Sequence, residues 1–181
     1  MTTPHTPQHH VLVAYGSRNG STAEIAEWIG RALRESGLTA DVLPAGEAAA
    51  LDTLDPYDAV LLGSGLYAGR WLREATRFAR RHRRALERLP VWLFSSGPLD
   101  PSAGERDIPP APGAARVVTL LGARGHTTFG GRLDQNARGF IARQLVARGR
   151  GGDFRDRERV RRWAHSVAGE LARTDRTARS I

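Results

Sequence analysis

Gly16-Ser17-Arg18-Asn19-Gly20-Ser21-Thr22 is an unbroken series of small or hydrogen-bonding residues, set between an apolar run and an amphipathic one. Backbone N–H groups converging at a helix N-terminus attract anions, and hydroxyls add donors. Such a turn suits a phosphate monoester, although it lacks the Gly-Lys-Ser/Thr ending of a nucleotide P-loop. A capped turn with Ser21 as N-cap is the plainer reading; the density of small and polar groups favours the anion site. A second stretch is Gly63-Ser64-Gly65-Leu66-Tyr67-Ala68-Gly69. Its Gly63-x-Gly65-x-x-Ala68 spacing formally matches a dinucleotide fingerprint. That fingerprint belongs after a first strand and needs an acid at the end of the next one, where this chain has Phe94-Ser95-Ser96. The glycines instead suit close approach of backbone to a flat ring, with Leu66, Tyr67 or Trp71 beside it. Helix-entry packing accounts equally well for Tyr67 and Trp71. A third stretch, Ser95-Ser96-Gly97-Pro98-Leu99-Asp100, offers amides and hydroxyls to the polar edge of such a ring, or is a simple Gly-Pro turn.

These stretches need elements to hold them. Apolar runs predict strands at His10–Tyr15, Thr39–Leu43, Ala59–Gly63, Val91–Phe94 and His126–Phe129. Helical periodicity predicts helices over Ser21–Ser36, Leu72–Leu89, Asn136–Arg148 and Asp156–Arg173, with a short one at Val117–Leu121. Asp100–Pro112 reads as a loop and Gly149–Asp153 as a hinge. Alternating strands and helices with short connections imply an α/β three-layer sandwich around a five-stranded parallel sheet, order 2-1-3-4-5. Ligands in such sheets bind at the carboxyl ends of the strands. The three stretches directly follow strands one, three and four. One domain spans 10–173, between a disordered tail over 1–9 and a C-terminal tail over 174–181.

Composition removes other chemistries. The 181 residues include no cysteine, which excludes disulfides, thiolate metal sites and cysteine nucleophiles. The six histidines show no ligand spacing apart from a terminal cluster, so no metal is expected. A hydrolase is disfavoured, since no Gly-x-Ser-x-Gly elbow surrounds Ser64 or Ser96. Residues 1–9 carry no apolar leader, and no apolar run could span a bilayer. A cytoplasmic location is expected, with peripheral membrane contact left open. All 27 basic residues are arginine and the net charge is +8, which favours anionic partners. Arg77, Arg80, Arg81, Arg83 and Arg84 form a basic stripe, but charge alone is a thin case for nucleic acid.

Val11-Leu12-Val13-Ala14 leading into Tyr15-Gly16-Ser17-Arg18-Asn19-Gly20-Ser21-Thr22 resembles the phosphate-loop signature of flavodoxin-like proteins. With the Gly63–Gly69 stretch and the tail Gly151-Gly152-Asp153-Phe154-Arg155-Asp156 before Val160-x-x-Trp163-Ala164, the chain is similar to the menaquinone-dependent protoporphyrinogen oxidase branch of that family. The resemblance implies FMN. Its phosphate would lie on Ser17, Arg18, Asn19, Gly20, Ser21 and Thr22. Its ring would lie against Leu66, Tyr67, Ala68 and Gly69 and against Ser95, Ser96, Gly97 and Pro98. It further implies oxidation of protoporphyrinogen IX or a similar reduced substrate, with electrons passed to a quinone; the chemistry belongs to flavin N5, and no protein acid or base stands out. Arg70, Arg73, Arg132, Arg138 and Arg143 are candidates to pair with substrate carboxylates. The basic amphipathic segment Gly130–Gly152 would face a quinone or anionic lipid, or pack as an ordinary helix. An FMN electron carrier without a substrate and a flavodoxin-fold module without flavin are the alternatives. Three features depart from ordinary flavodoxins: Pro98 and Leu99 stand where an aromatic is usual, the charge is basic, and Gly16 replaces a hydroxyl residue.

Overall fold

The computed structural model describes residues 9–134, 140–149 and 151–178. Five strands make the parallel sheet: β1 (His10–Gly16), β2 (Thr39–Pro44), β3 (Ala59–Tyr67), β5 (Val91–Ser96) and β6 (Gly125–Phe129). Their order is β2-β1-β3-β5-β6, which is the expected 2-1-3-4-5 with a two-residue strand, β4 (Arg70–Trp71), added antiparallel to the end of β3.

Strand alternation divides the core into two layers. Val11 and Val13 of β1, Ala59 and Leu61 of β3, and Trp92 and Phe94 of β5 face one side. There they meet Ile25, Ile29 and Leu33 of α1 (Ser21–Glu35) and Val160, Ala164, Val167 and Leu171 of α8 (Arg157–Ala178). Leu12, Ala14, Val60, Leu62 and Leu93 face the other side. They are covered by Ala45 and Ala48 of α2 (Ala45–Ala48), Ala75 and Phe78 of α3 (Arg73–Arg81), Leu86 of α4 (Arg83–Leu86), and Ala114 and Val117 of α6 (Pro112–Leu121). Helix α1 closes on Gly37 (φ 83°), with Leu38 N–H bonded to Leu33 O and Gly37 N–H to Arg34 O, a Schellman stop.

Several elements differ from the sequence expectation. β3 and β5 each run past their apolar residues, because Ser64 and Gly65 stay paired with Ser95 and Ser96. The helix expected over Leu72–Leu89 bends at His82 (φ −99°, ψ 16°), whose ring turns inward onto Phe78 at 5.1 Å between centroids. The loop over Asp100–Pro112 contains a short helix, α5 (Ser102–Glu105). α6 begins at Pro112, where proline needs no N–H partner. The hinge is half strand: β7 (Arg132–Leu133) pairs antiparallel with β8 (Gly152–Asp153). Of the helix expected over Asn136–Arg148, α7 (Phe140–Ala147) is described, while Arg138 lies outside the described residues. α8 continues to Ala178, into the expected tail. No described helix is long and apolar enough to cross a membrane.

Candidate functional site

The parallel sheet brings β1, β3 and β5 out at one pole, and their ends touch one another. Gly20, in the left-handed region at φ 83°, starts α1 without any side-chain cap on the first-turn N–H groups. Those donors therefore remain available to an anion. Ser17 Oγ accepts Gly20 N–H at 3.1 Å, which folds the turn over the helix end. Thr22 is buried at the base of the turn. Ser21 differs from expectation: its Oγ accepts Arg132 N–H at 3.0 Å and lies 3.5 Å from Ser96 Oγ, so it joins the turn to its neighbours.

Glu74 is a site residue that sequence reasoning missed. Its Oε1 accepts Ser17 N–H at 3.2 Å, across a sequence separation of 57. The substitution of glycine at position 16 has a physical reason in this contact: a Cβ there would stand 3.3 Å from Glu74 Oε1 and 3.3 Å from Ser64 Oγ. A first-turn acid is ordinary on any helix, so nothing local marks Glu74 out.

β3 reverses into β4 through Ala68 (φ 50°) and Gly69 (φ 72°), a two-residue turn with both central residues left-handed. The turn holds Tyr67 over the first loop. The Arg18 guanidinium lies 4.8 Å from the Tyr67 ring centroid, and Asn19 Nδ2 donates to Tyr67 Oη at 3.5 Å. Burial pushes the Tyr67 hydroxyl pKa up, and Arg18 and Asn19 offset only part of that, so the group stays protonated near neutrality. A Cβ on Gly65 would stand 3.0 Å from Tyr67 Cε2 and 3.1 Å from Thr22 Oγ1, so the close approach there serves Tyr67 and Thr22. Gly63 corrects the expectation: the Phe94 ring fills the space where its Cβ would sit. Trp71 is a packing residue, buried and donating Nε1–H to Ser95 Oγ at 2.9 Å.

The third loop is more committed than its composition suggests. Ser95 Oγ also lies 2.9 Å from His126 Nε2. Burial holds His126 at a pKa of about 4, so its ring is neutral and its Nδ1 has no partner among the described residues. Gly97 N–H is bonded to Phe129 O, and Pro98 O accepts Gly131 N–H. The Ser96 hydroxyl and the loop beyond Pro98 are what remain for a ring edge. Leu66 packs over Gly97, leaving 2.6 Å between a Cβ there and Leu66 Cδ1, so the second and third loops meet.

The arginine candidates separate. Arg70 and Arg73 join Ser17, Arg18, Tyr67 and Glu74 around an open cleft of about 420 Å³ beside the first loop. Arg132 instead pairs with Glu24 at 2.8 Å and Asp134 at 3.3 Å. Arg143 is exposed on α7. The tail has a structural task. Arg155, with 3% of its side chain exposed, forms a two-pronged pair with Asp153 (2.8 and 2.7 Å), reaches Glu24 at 2.8 Å and lies 4.9 Å over the Trp28 ring. Burial raises the Glu24 pKa, but Arg155 and Arg132 outweigh that and hold it below its ordinary value.

A parallel sheet in this order, with an uncapped helix N-terminus and two further loops converging on it, defines a flavodoxin-fold protein with its ligand site at the carboxyl pole. The flavodoxin-domain family model matches residues 12–151, and the chain belongs to the flavodoxin family. A flavodoxin of Nitratidesulfovibrio vulgaris is 39% identical over 54 residues, which is 30% of this chain and 36% of that protein, so the match spans about a third of its length. Rubredoxin oxygen:oxidoreductase of Desulfovibrio gigas superposes with a TM-score of 0.59 at 15% identity, over 92% of this chain and 37% of that one. A mutant flavodoxin of Pseudomonas aeruginosa gives 0.57 at 19% identity, over 90% and 99%. Likeness to these solved structures at such identities concerns the fold.

FMN is the cofactor of this family. The residues fit it. The α1 N-terminus, uncapped by any side chain, with the Ser17 and Thr22 hydroxyls and Asn19, would hold its phosphate, and Gly65, Tyr67, Leu66 and Gly97 shape the adjoining wall.

Proposed function

We propose that this chain binds FMN at the carboxyl pole and works as a redox protein on an anionic partner. The observation that carries this is the meeting of the uncapped α1 turn with Tyr67 and Thr22 across Gly65. FMN, when bound, supplies the site with an acceptor and donor of electrons. The chain's own residues do the rest. Ser17, Asn19 and Thr22 orient the phosphate. Tyr67, protonated and held by Arg18 and Asn19, screens it from water. Arg70 and Arg73, both exposed at the cleft, hold an incoming carboxylate by paired N–H bonds.

Within this reading the substrate is a reduced, carboxylate-bearing molecule of the protoporphyrinogen type, and a quinone takes the electrons onward. Two features support it: the cationic rim formed by Arg18, Arg70 and Arg73, and the β7–β8 ribbon, which the Gly131 N–H bond to Pro98 O ties to the third loop. Arg132 contributes indirectly, by fixing that ribbon to Glu24. The competing reading is an electron carrier, which family membership supports.

The two readings separate by anaerobic mixing of FMN-loaded protein with protoporphyrinogen IX. Bleaching of the flavin band, slowed in Arg70→Glu/Arg73→Glu and reversed by a soluble quinone, supports the enzyme. No bleaching, with normal reduction by dithionite, leaves the carrier.

A further inference from the structure

We propose that a second anion site, for a small molecule carrying linked phosphates, lies at the pole opposite the three loops, in the cleft at the α3–α4 bend. α3 starts beside the carboxyl end of β3 and runs back past the sheet, and β5 begins shortly after α4, so the bend lies at the amino pole. The segment leading into β3 forms the opposite wall. The cleft is about 490 Å³, within the range that small ligands occupy, and Thr53, Arg80, Arg81, Arg83 and Arg84 line it with Asp52.

Among the described residues five arginines pair with a carboxylate, and others, including Arg18, Arg70 and Arg73 at the opposite pole, do not. Arg132, Arg155, Arg159 and Arg161 all have carboxylate partners. In the cleft, Arg83 is held by Glu87 at 2.7 Å, while Arg80, Arg81 and Arg84 are exposed and have no ion-pair partner among the described residues. Arg77 and Arg81 are four apart on α3, a spacing at which like charges repel, and Arg80 and Arg84 stand on either side of the bend, both lining the cleft. A general enrichment in arginine accounts for the residue type. What makes a site of it is the placing of three guanidiniums without carboxylate partners around one concavity, with the Thr53 hydroxyl on its opposite wall. A multiply charged anion relieves the repulsion, and guanidinium forks grip phosphate oxygens in pairs.

The surroundings hold this arrangement in place. His82 is buried between the two arginine pairs and interacts with the backbone of Ala48 and Ala49, which ties the bend to the end of α2; its Nε2 has no partner among the described residues. Thr53 Oγ1 accepts Asp55 N–H at 3.1 Å, which leaves its hydroxyl proton for a ligand. Asp52 is the one acid on the wall, and it disfavours a ligand that would crowd that side. Three clustered guanidiniums match two linked phosphates better than a single one.

The test is calorimetric titration of the full chain, supplemented with FMN, with inorganic pyrophosphate. One saturable site is expected. Arg80→Glu/Arg84→Glu should weaken it at least tenfold, Arg80→Gln/Arg84→Gln should weaken it less, and Arg70→Glu/Arg73→Glu at the other pole should leave it unchanged. Pyrophosphate should also raise the melting temperature of the native chain and not that of Arg80→Glu/Arg84→Glu. Absence of saturable binding overturns the proposal, as does binding that is lost in Arg70→Glu/Arg73→Glu but kept in Arg80→Glu/Arg84→Glu. Salt-sensitive binding to duplex DNA without saturable pyrophosphate binding also overturns it, and makes the cluster a nucleic-acid stripe.

Discussion

Gly65→Ala tests whether the first two loops form one site. The added Cβ would stand 3.0 Å from Tyr67 Cε2 and 3.1 Å from Thr22 Oγ1. Both neighbours must retreat by a few tenths of an ångström to reach ordinary contact. Tyr67 is held by Arg18 and Asn19, and Thr22 is buried in the first turn of α1, so neither moves without disturbing the donor set. Overpacking of a buried position costs about 1–3 kcal/mol. If about half of that falls on the bound state, FMN affinity drops roughly 2- to 13-fold. The assay is quenching of FMN fluorescence on titration with the variant, with urea unfolding of the same sample as the folding control. Gly46→Ala is a second control: its Cβ would meet nothing within 4 Å, and in the short α2 it should leave binding intact. Unchanged FMN affinity in a folded Gly65→Ala protein would refute the shared site.

Further outcomes follow from single contacts. Glu74→Gln removes a negative charge from the turn that receives the phosphate, so FMN should bind about 3- to 10-fold tighter, read by the same titration. Arg155→Ala leaves Glu24 and Asp153 without their shared partner, at an expected cost of about 2–4 kcal/mol of stability by urea unfolding. His126 has a folded pKa of about 4, below the unfolded value near 6.5. Its contribution is complete above the unfolded value and is lost as pH falls from there toward about 4, by about 1–3 kcal/mol after allowing for its partial exposure. His126→Gln should flatten unfolding free energy across that window; an identical pH profile would contradict the assignment.

The strand cores were legible because Val11–Ala14, Val60–Leu62 and Val91–Phe94 are continuous apolar runs, as a sheet covered on both faces requires. Their order followed from alternation with helices. The site was legible as three stretches but not as a set of contacts. Gly63-Ser64-Gly65 reads as loop, and pairing with Tyr15 and Gly16 on one side and with Phe94, Ser95 and Ser96 on the other keeps it extended. The reason for glycine at 63 is the Phe94 ring, 31 positions away in the chain. Glu74 on Ser17, Phe129 on Gly97 and His126 on Ser95 are likewise contacts between distant segments, which periodicity does not carry. The bend at His82 escaped notice because His82 fits a basic helical stripe, and its burial depends on α2.

The most direct measurement is the visible absorption spectrum of the purified chain after addition of FMN and removal of the excess. The account predicts a retained, shifted flavin spectrum at one FMN per chain, reduced in Ser17→Ala/Thr22→Ala. A folded chain that releases all of its FMN would contradict it.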